Sequence, residues 1–235
     1  MGCPMGFGEL NIPSSRAFWD DCDEDECPKV EAKKLQLAFE TCPEQAEWKT
    51  KCKRMLVFEG PSVSSFAEAT LLLKDSQKIA AVPSKKSSLH YVPAKDMLIA
   101  IIDEDLTPSG EICQLLLELC KPEEVITVTI KAKVEYKTED IAAIRDEITF
   151  IRSIDGTLNH IEALEAPNFI AGVAAGISSW RCNEGLKTQS YVVYTDNLAL
   201  DPLAAKPILA LLKDLNIEYS SSYKPKKRDD SHLYM

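Results

Sequence analysis

Leu233, Tyr234 and Met235 close the chain with an apolar side chain, a phenol and a terminal carboxylate in consecutive positions. Such an ending offers three handles to a pocket on a partner. The leucine and the tyrosine ring can be buried, the phenol can exchange a hydrogen bond, and the carboxylate can meet a lysine or a cluster of backbone amides. With 45% hydrophobic residues and 7 tyrosines in 235, a chain of this composition ends this way about once in 75 draws. The ending therefore acquires meaning only beside the rest of the sequence.

Other groups capable of chemistry are scattered. The eight cysteines, Cys3, Cys22, Cys27, Cys42, Cys52, Cys113, Cys120 and Cys182, include no C-x-x-C pair and no nearby H-x-x-x-H. No metal site is expected, and free thiols are. Cys113 and Cys120 are seven apart on one face of a helical pattern, where cysteine serves as a small hydrophobe. The histidines are His90, His160 and His232. A Cys182 and His160 dyad is compatible with the sequence, although a lone histidine or cysteine is usually structural. Asp103-Glu104-Asp105 follows an apolar run, at the kind of strand end where α/β proteins place ligands; a solvated loop is the simpler reading. No G-x-G-x-x-G or G-x-x-x-x-G-K-[ST] occurs, and Gly176-Ile177-Ser178-Ser179-Trp180 lacks the second glycine of a nucleophile elbow. The chain reads as a non-enzyme with no cofactor.

The 235 residues suit one sizeable α/β domain. A net charge of −10 disfavours nucleic acid as a partner and favours a basic protein surface. The longest nearly apolar stretch, Phe169 to Trp180, is about 12 residues, well short of the ~20 that cross a bilayer, so membrane insertion is not expected. Met1-Gly2-Cys3 lacks the Ser or Thr at position 6 that myristoylation prefers, having Gly6. Without a secretory leader, a reducing, cytoplasmic setting is expected.

The pattern of elements positions these groups. Residues 1–27 read as an acidic arm carrying Asp20, Asp21 and Asp23 to Glu26, either a solvated, disordered segment or a contact to a basic partner. Residues 28–219 read as one domain. Val30 to Leu37 suggests a short helix and Cys42 to Lys53 a polar connection. Met55 to Phe58 suggests a buried strand before Gly60-Pro61, followed by a helix capped by Ser64. Strands are expected at Ile79–Val82, Leu89–Val92, Met97–Ile102, Val125–Ile130 and Tyr191–Tyr194. Helices are expected at Gly110–Cys120, Asn168–Trp180 and from Asp201-Pro202 onward, while Ile141–Ile154 fits helix or strand. Gly172 and Gly176 suggest a helix lying close on a sheet. Strand and helix alternate, which predicts α/β with a central sheet covered on both faces. Residues 220–235 read as a flexible tail whose Lys224-Pro225-Lys226-Lys227-Arg228 cluster is either solubilising or a nuclear import signal.

Taken in order, Phe7-Gly8-Glu9 with the acidic run, Leu164-Glu165-x-Pro167-Asn168, Tyr194-Thr195-Asp196, Leu200-Asp201, Lys206-Pro207-Ile208-Leu209 and the closing Leu-Tyr-x resemble the proteasome assembly chaperone 1 family. The ending itself resembles the hydrophobic-tyrosine-any residue (HbYX) motif that docks on the α-ring of the proteasome core particle. The likeness is concentrated in the last third and the first few residues. It implies a three-layer α/β/α domain with a central mixed sheet. It also implies a non-enzymatic chaperone that heterodimerises with proteasome assembly chaperone 2 and holds α-subunits while the α-ring forms. Leu233, Tyr234 and Met235 would enter a pocket between α-subunits. Burying the leucine and tyrosine removes roughly 250 Å² of apolar surface, worth about 6 kcal/mol, and ordering three or four residues returns roughly 1–2 kcal/mol each. The tail would thus need help from a second tail or from the folded body. Two rival readings are a regulator of mature proteasomes that uses the same tail, and a small-molecule hydrolase or phosphorylase-like enzyme that depends on Asp103 or Asp196.

Overall fold

Strand β2 (Arg54–Glu59) lies at the middle of the molecule, and its sequence shows why: Met55 to Phe58 are apolar at every position, as a strand buried on both faces requires. In the computed structural model, which describes residues 38–39, 52–61, 63–71, 75–82, 87–103, 108–196, 200–220 and 223, β2 pairs in parallel with β5 (Met97–Ile102) and β6 (Glu124–Ala132). Leu56 is in register with Ile99 on one side and Ile126 on the other. β8 (Thr188–Thr195) adds a fourth parallel strand beside β6.

Antiparallel strands finish both sides. β4 (Ser88–Val92) pairs with β5, β3 (Gln77–Ala81) with β4, and the two-residue β1 (Ala38–Phe39) with β3. At the other edge β7 (Thr149–Ile154) pairs antiparallel with β8. The order is β1-β3-β4-β5-β2-β6-β8-β7. One face, through Leu56, Phe58, Ile99 and Val128, packs on α1 (Val63–Thr70) and α5 (Pro202–Asp214). The opposite face, through Met55, Val57 and Leu98, packs on α2 (Ser109–Leu119) and α4 (Gly172–Asn183). This is the expected three-layer α/β/α domain with a mixed sheet.

Several local expectations change. Ser64 lies inside α1, which starts at Val63, so it is not the cap. The ambiguous stretch resolves into the single turn α3 (Ile141–Ile144) followed by β7. α4 starts at Gly172, four residues later than Asn168, because Gly172 has φ +76° and Ala171 before it is extended. Gly176 lies against a helix: a Cβ there would come within 2.9 Å of Cys113 Sγ on α2. The helix expected at 30–37, the connection at 42–51 and the acidic arm lie outside the described residues.

Candidate functional site

Leu233, Tyr234 and Met235 lie outside the described residues, but the point from which the tail departs does not. Ser220 N donates to Thr70 O at 2.8 Å, and Tyr223 is buried, its ring meeting Phe66 edge-on at 5.1 Å. Burial pushes the Tyr223 phenol up, with a smaller push from Asp201. Tyr223 is therefore part of the α1 and α5 layer.

The end of the central strand, another place where a ligand could sit, is already occupied. Glu59, at the end of β2, is only 3% exposed. Its two carboxylate oxygens accept from Val173 N at 2.9 Å and Ala174 N at 2.7 Å, two free amides in the first turn of α4. A helix N-terminus welcomes an anion, and this one is met by the chain's own carboxylate. Gly172 makes the approach possible, since a Cβ there would overlap the Glu59 carboxylate. Beside it, burial first and the Glu59 charge second push the Cys113 thiol up. The sequence does carry a signal for Glu59, an acid set between the apolar run Met55 to Phe58 and the Gly60-Pro61 boundary.

Of the acids named from sequence, Glu104 and Asp105 lie outside the described residues, and Asp103 and Asp196 do not converge. Asp103 N, after β5, donates to Ser87 Oγ at 3.0 Å. Asp196, after β8, pairs with Lys133 at 3.3 Å. Three strand spacings separate β5 from β8, about 14 Å. The dyad is also separated. His160 Nε2 meets Asp214 Oδ2 of α5 at 3.2 Å, beside a cleft of about 360 Å³, whereas Cys182 belongs to α4 on the opposite face. Among the described residues no group of three or more His, Cys, Asp or Glu could hold a metal ion.

What the structure does gather is the edge formed by β7, β8 and the extended chain before α4. Ser153 N donates to Glu162 O at 2.9 Å and Leu164 N to Ser153 O at 2.8 Å, so residues 162–164 run along β7 like a strap. Asn168 holds the strap's other end, accepting from Lys137 N at 2.8 Å and donating to Lys137 O at 2.7 Å. Tyr136 donates to Glu165 Oε1 at 2.8 Å and accepts from Arg152 Nε at 3.1 Å. The Arg152 guanidinium covers the Tyr136 and Phe150 rings at 5.5 and 5.0 Å. Tyr194 packs beneath, and burial pushes its phenol up to about 12. Lys133 donates to the carbonyls of Arg145 and Glu147 and pairs with Asp196. Glu165, Asn168, Tyr194 and Asp196, noticed as separate fragments in the sequence, thus occupy one edge. Sequence reading missed Tyr136 and Arg152, which join them from other elements. Val134, Ile148 and Phe169 remain exposed around this edge, at 91%, 44% and 67%. The arrangement offers apolar and hydrogen-bonding surface and no convergent nucleophile and base.

Fold and site together define a three-layer α/β/α domain whose central strand end is closed by its own glutamate. Solved structures with this fold include Pyrococcus furiosus PbaA, an archaeal homolog of proteasome-assembly chaperone, at 16% identity over 81% of this chain and 85% of that one, with a TM-score of 0.54. They also include P. furiosus PbaB, an archaeal proteasome activator, at 13% identity over 81% and 92% with TM-score 0.54. A third is a protein of unknown function from Corynebacterium glutamicum, at 12% over 78% and 82% with TM-score 0.54. No family model and no curated protein matches the sequence.

Proposed function

We propose that the chain is a proteasome assembly chaperone of the proteasome assembly chaperone 1 family. In this reading it pairs with proteasome assembly chaperone 2 and promotes α-ring formation without catalysing a reaction, in the cytoplasm. The observation that carries the proposal is the fold shared with PbaA over 81% of the chain. The ordered sequence fragments and the Leu233-Tyr234-Met235 ending support the finer assignment. Twelve residues follow Tyr223, a reach of at most about 40 Å. With Tyr223 seated on Phe66, the docking residues would act on a short leash, which raises their effective concentration at a pocket beside the folded body.

Deleting Leu233 to Met235, or Tyr234→Ala, in a protein tagged at its N-terminus is expected to lower α-subunit recovery several-fold while the chaperone pair stays intact. Unchanged α-subunit recovery would remove the tail's role. PbaB, an archaeal proteasome activator of the same fold, favours one second reading, in which the same tail regulates mature particles. Fractionation separates the two, because a chaperone travels with immature particles poor in β-subunits and a regulator with active ones.

A further inference from the structure

Three ion pairs along the edge built from β7, β8 and the chain around them share one asymmetry. In Lys131 with Glu135, Lys133 with Asp196 and Arg152 with Glu162, the cation side chains are only 13% or 14% exposed, whereas the anions are 53% to 75% exposed. The cations are drawn inward by further partners. Lys133 donates to the carbonyls of Arg145 and Glu147, Lys131 to that of Phe169, and Arg152 covers two aromatic rings. A molecule approaching this edge meets carboxylates. The three exposed apolar side chains lie among them. Val134 sits between Lys133 and Glu135 in sequence, Asp196 N donates to Ile148 O at 3.0 Å, and the Phe169 ring lies against the Lys131 ammonium, the partner of Glu135. They form one apolar surface rimmed with negative charge.

The charge decides the occupant. A second copy of this chain would set acid against acid, whereas a protein surface with lysine or arginine around an apolar centre would be complementary. A rim of exposed carboxylates is weakened by salt, which suits a contact that is made and released. A lasting chaperone pair would instead bury a larger surface depleted in charge at its centre. The edge also stands near the root of the tail. Asp201 comes five residues after Asp196, a span of at most about 17 Å, and its carboxylate is close enough to raise the Tyr223 phenol. We propose that this surface is the folded body's contact with a core-particle α-subunit, made to a basic patch on that subunit. The assignment rests on the chaperone reading above, and it supplies the second contact that the tail needs to hold its partner.

Carbodiimide cross-linking tests this contact, because the reagent joins a carboxylate directly to a lysine that touches it. The full-length chain, tagged at its N-terminus and paired with its chaperone partner, is mixed with purified α-subunits, cross-linked and mapped by peptide mass spectrometry. Glu135, Glu147 or Asp196 should be joined to α-subunit lysines, with yields that fall several-fold between about 0.05 and about 0.5 M salt. Links of Glu135 to Lys131 and of Asp196 to Lys133 serve as internal standards, being built into the fold. Combined Glu135→Lys and Glu147→Lys should lower α-subunit affinity about tenfold at low salt, and Val134→Ser should lower it less, with the chaperone pair intact. The proposal is overturned if these carboxylates are joined instead to the chaperone partner, to a second copy, or to Lys224, Lys226 or Lys227 of the same chain. It is also overturned if the α-subunits bind, are lost on deletion of Leu233 to Met235, and show neither edge cross-links nor sensitivity to the edge variants; the tail's role then survives alone. No α-subunit binding by the unsubstituted chain at either salt overturns the chaperone reading and this contact together. Cross-linking of the unsubstituted protein decides the matter even where a variant fails to fold.

Discussion

Glu59 and Glu165 both hold a segment in place, yet they do so in opposite surroundings. Glu59 is buried and gives both oxygens to the amides that open α4. Glu165 lies on the surface strap, where it accepts from Tyr136, and this hydrogen bond holds its carboxyl below the ordinary range. At the first position the surroundings offer no water to replace a lost acceptor. At the second, solvent can substitute for what is removed. The contrast assigns the β2 end to the fold and the β7 edge to the surface, and it can be broken by measurement.

Glu59→Gln should have the largest effect. The amide keeps the shape but has one acceptor oxygen, so its NH2 group faces a backbone N–H and leaves that donor buried and unpaired. A loss of about 3 kcal/mol is expected from chemical denaturation. A loss under about 1 kcal/mol would mean that the junction is more open than its burial implies. Gly176→Val comes next. Its added bulk meets Cys113 on α2, and forcing the two helices apart should remove about 1–3 kcal/mol.

Much of this contrast was visible in the sequence only on the fold side. Met97–Ile102 coincides with β5 because a strand buried on both faces leaves an unbroken apolar run with acids behind it. Asp201-Pro202 marks α5 for an equally local reason: the Asp201 side chain accepts from Leu203 N and Ala204 N, both at 2.8 Å. The strap was not legible. Its hydrogen bonds join Ser153 to 162–164 and Asn168 to Lys137, and its apolar residues follow no period of 2 or 3.6. The helix expected at Asn168–Trp180 starts late for a related reason, since an apolar stretch does not say where extended chain yields to helix. Tyr136 and Arg152 were silent because neither type is rare on a surface, and only the packing of the segment after β6 against β7 makes them partners.

At the edge, Tyr136→Phe deletes the hydroxyl that links Arg152 to Glu165 while keeping the ring between Phe150 and Tyr194. A loss of about 1 kcal/mol is expected, and amide exchange should rise in residues 162–168 before it rises in β8. Uniform acceleration across the sheet would instead place Tyr136 among the groups that hold the whole domain.

Phe169→Ala should have the smallest effect, although Phe169 is the largest exposed ring in this region. Its contact is with Lys131, whose ammonium lies 5.0 Å from the ring centroid on a side chain only 13% exposed, and with the ring itself largely in solvent the cation–π pair contributes about 0.5–1 kcal/mol. Lys131 also donates to the Phe169 backbone carbonyl at 3.1 Å, a bond the substitution leaves in place. The ring loses little surface burial because two-thirds of it is already in solvent. Stability should therefore fall by less than about 1 kcal/mol. Since Tyr136 is fixed through Arg152 and Glu165, and Phe169 through Lys131, the double substitution should be additive within about 0.5 kcal/mol. Coupling above that would show that the strap behaves as one cooperative unit from Glu162 to Phe169, and the edge would then belong with Glu59 among the structural elements of the fold.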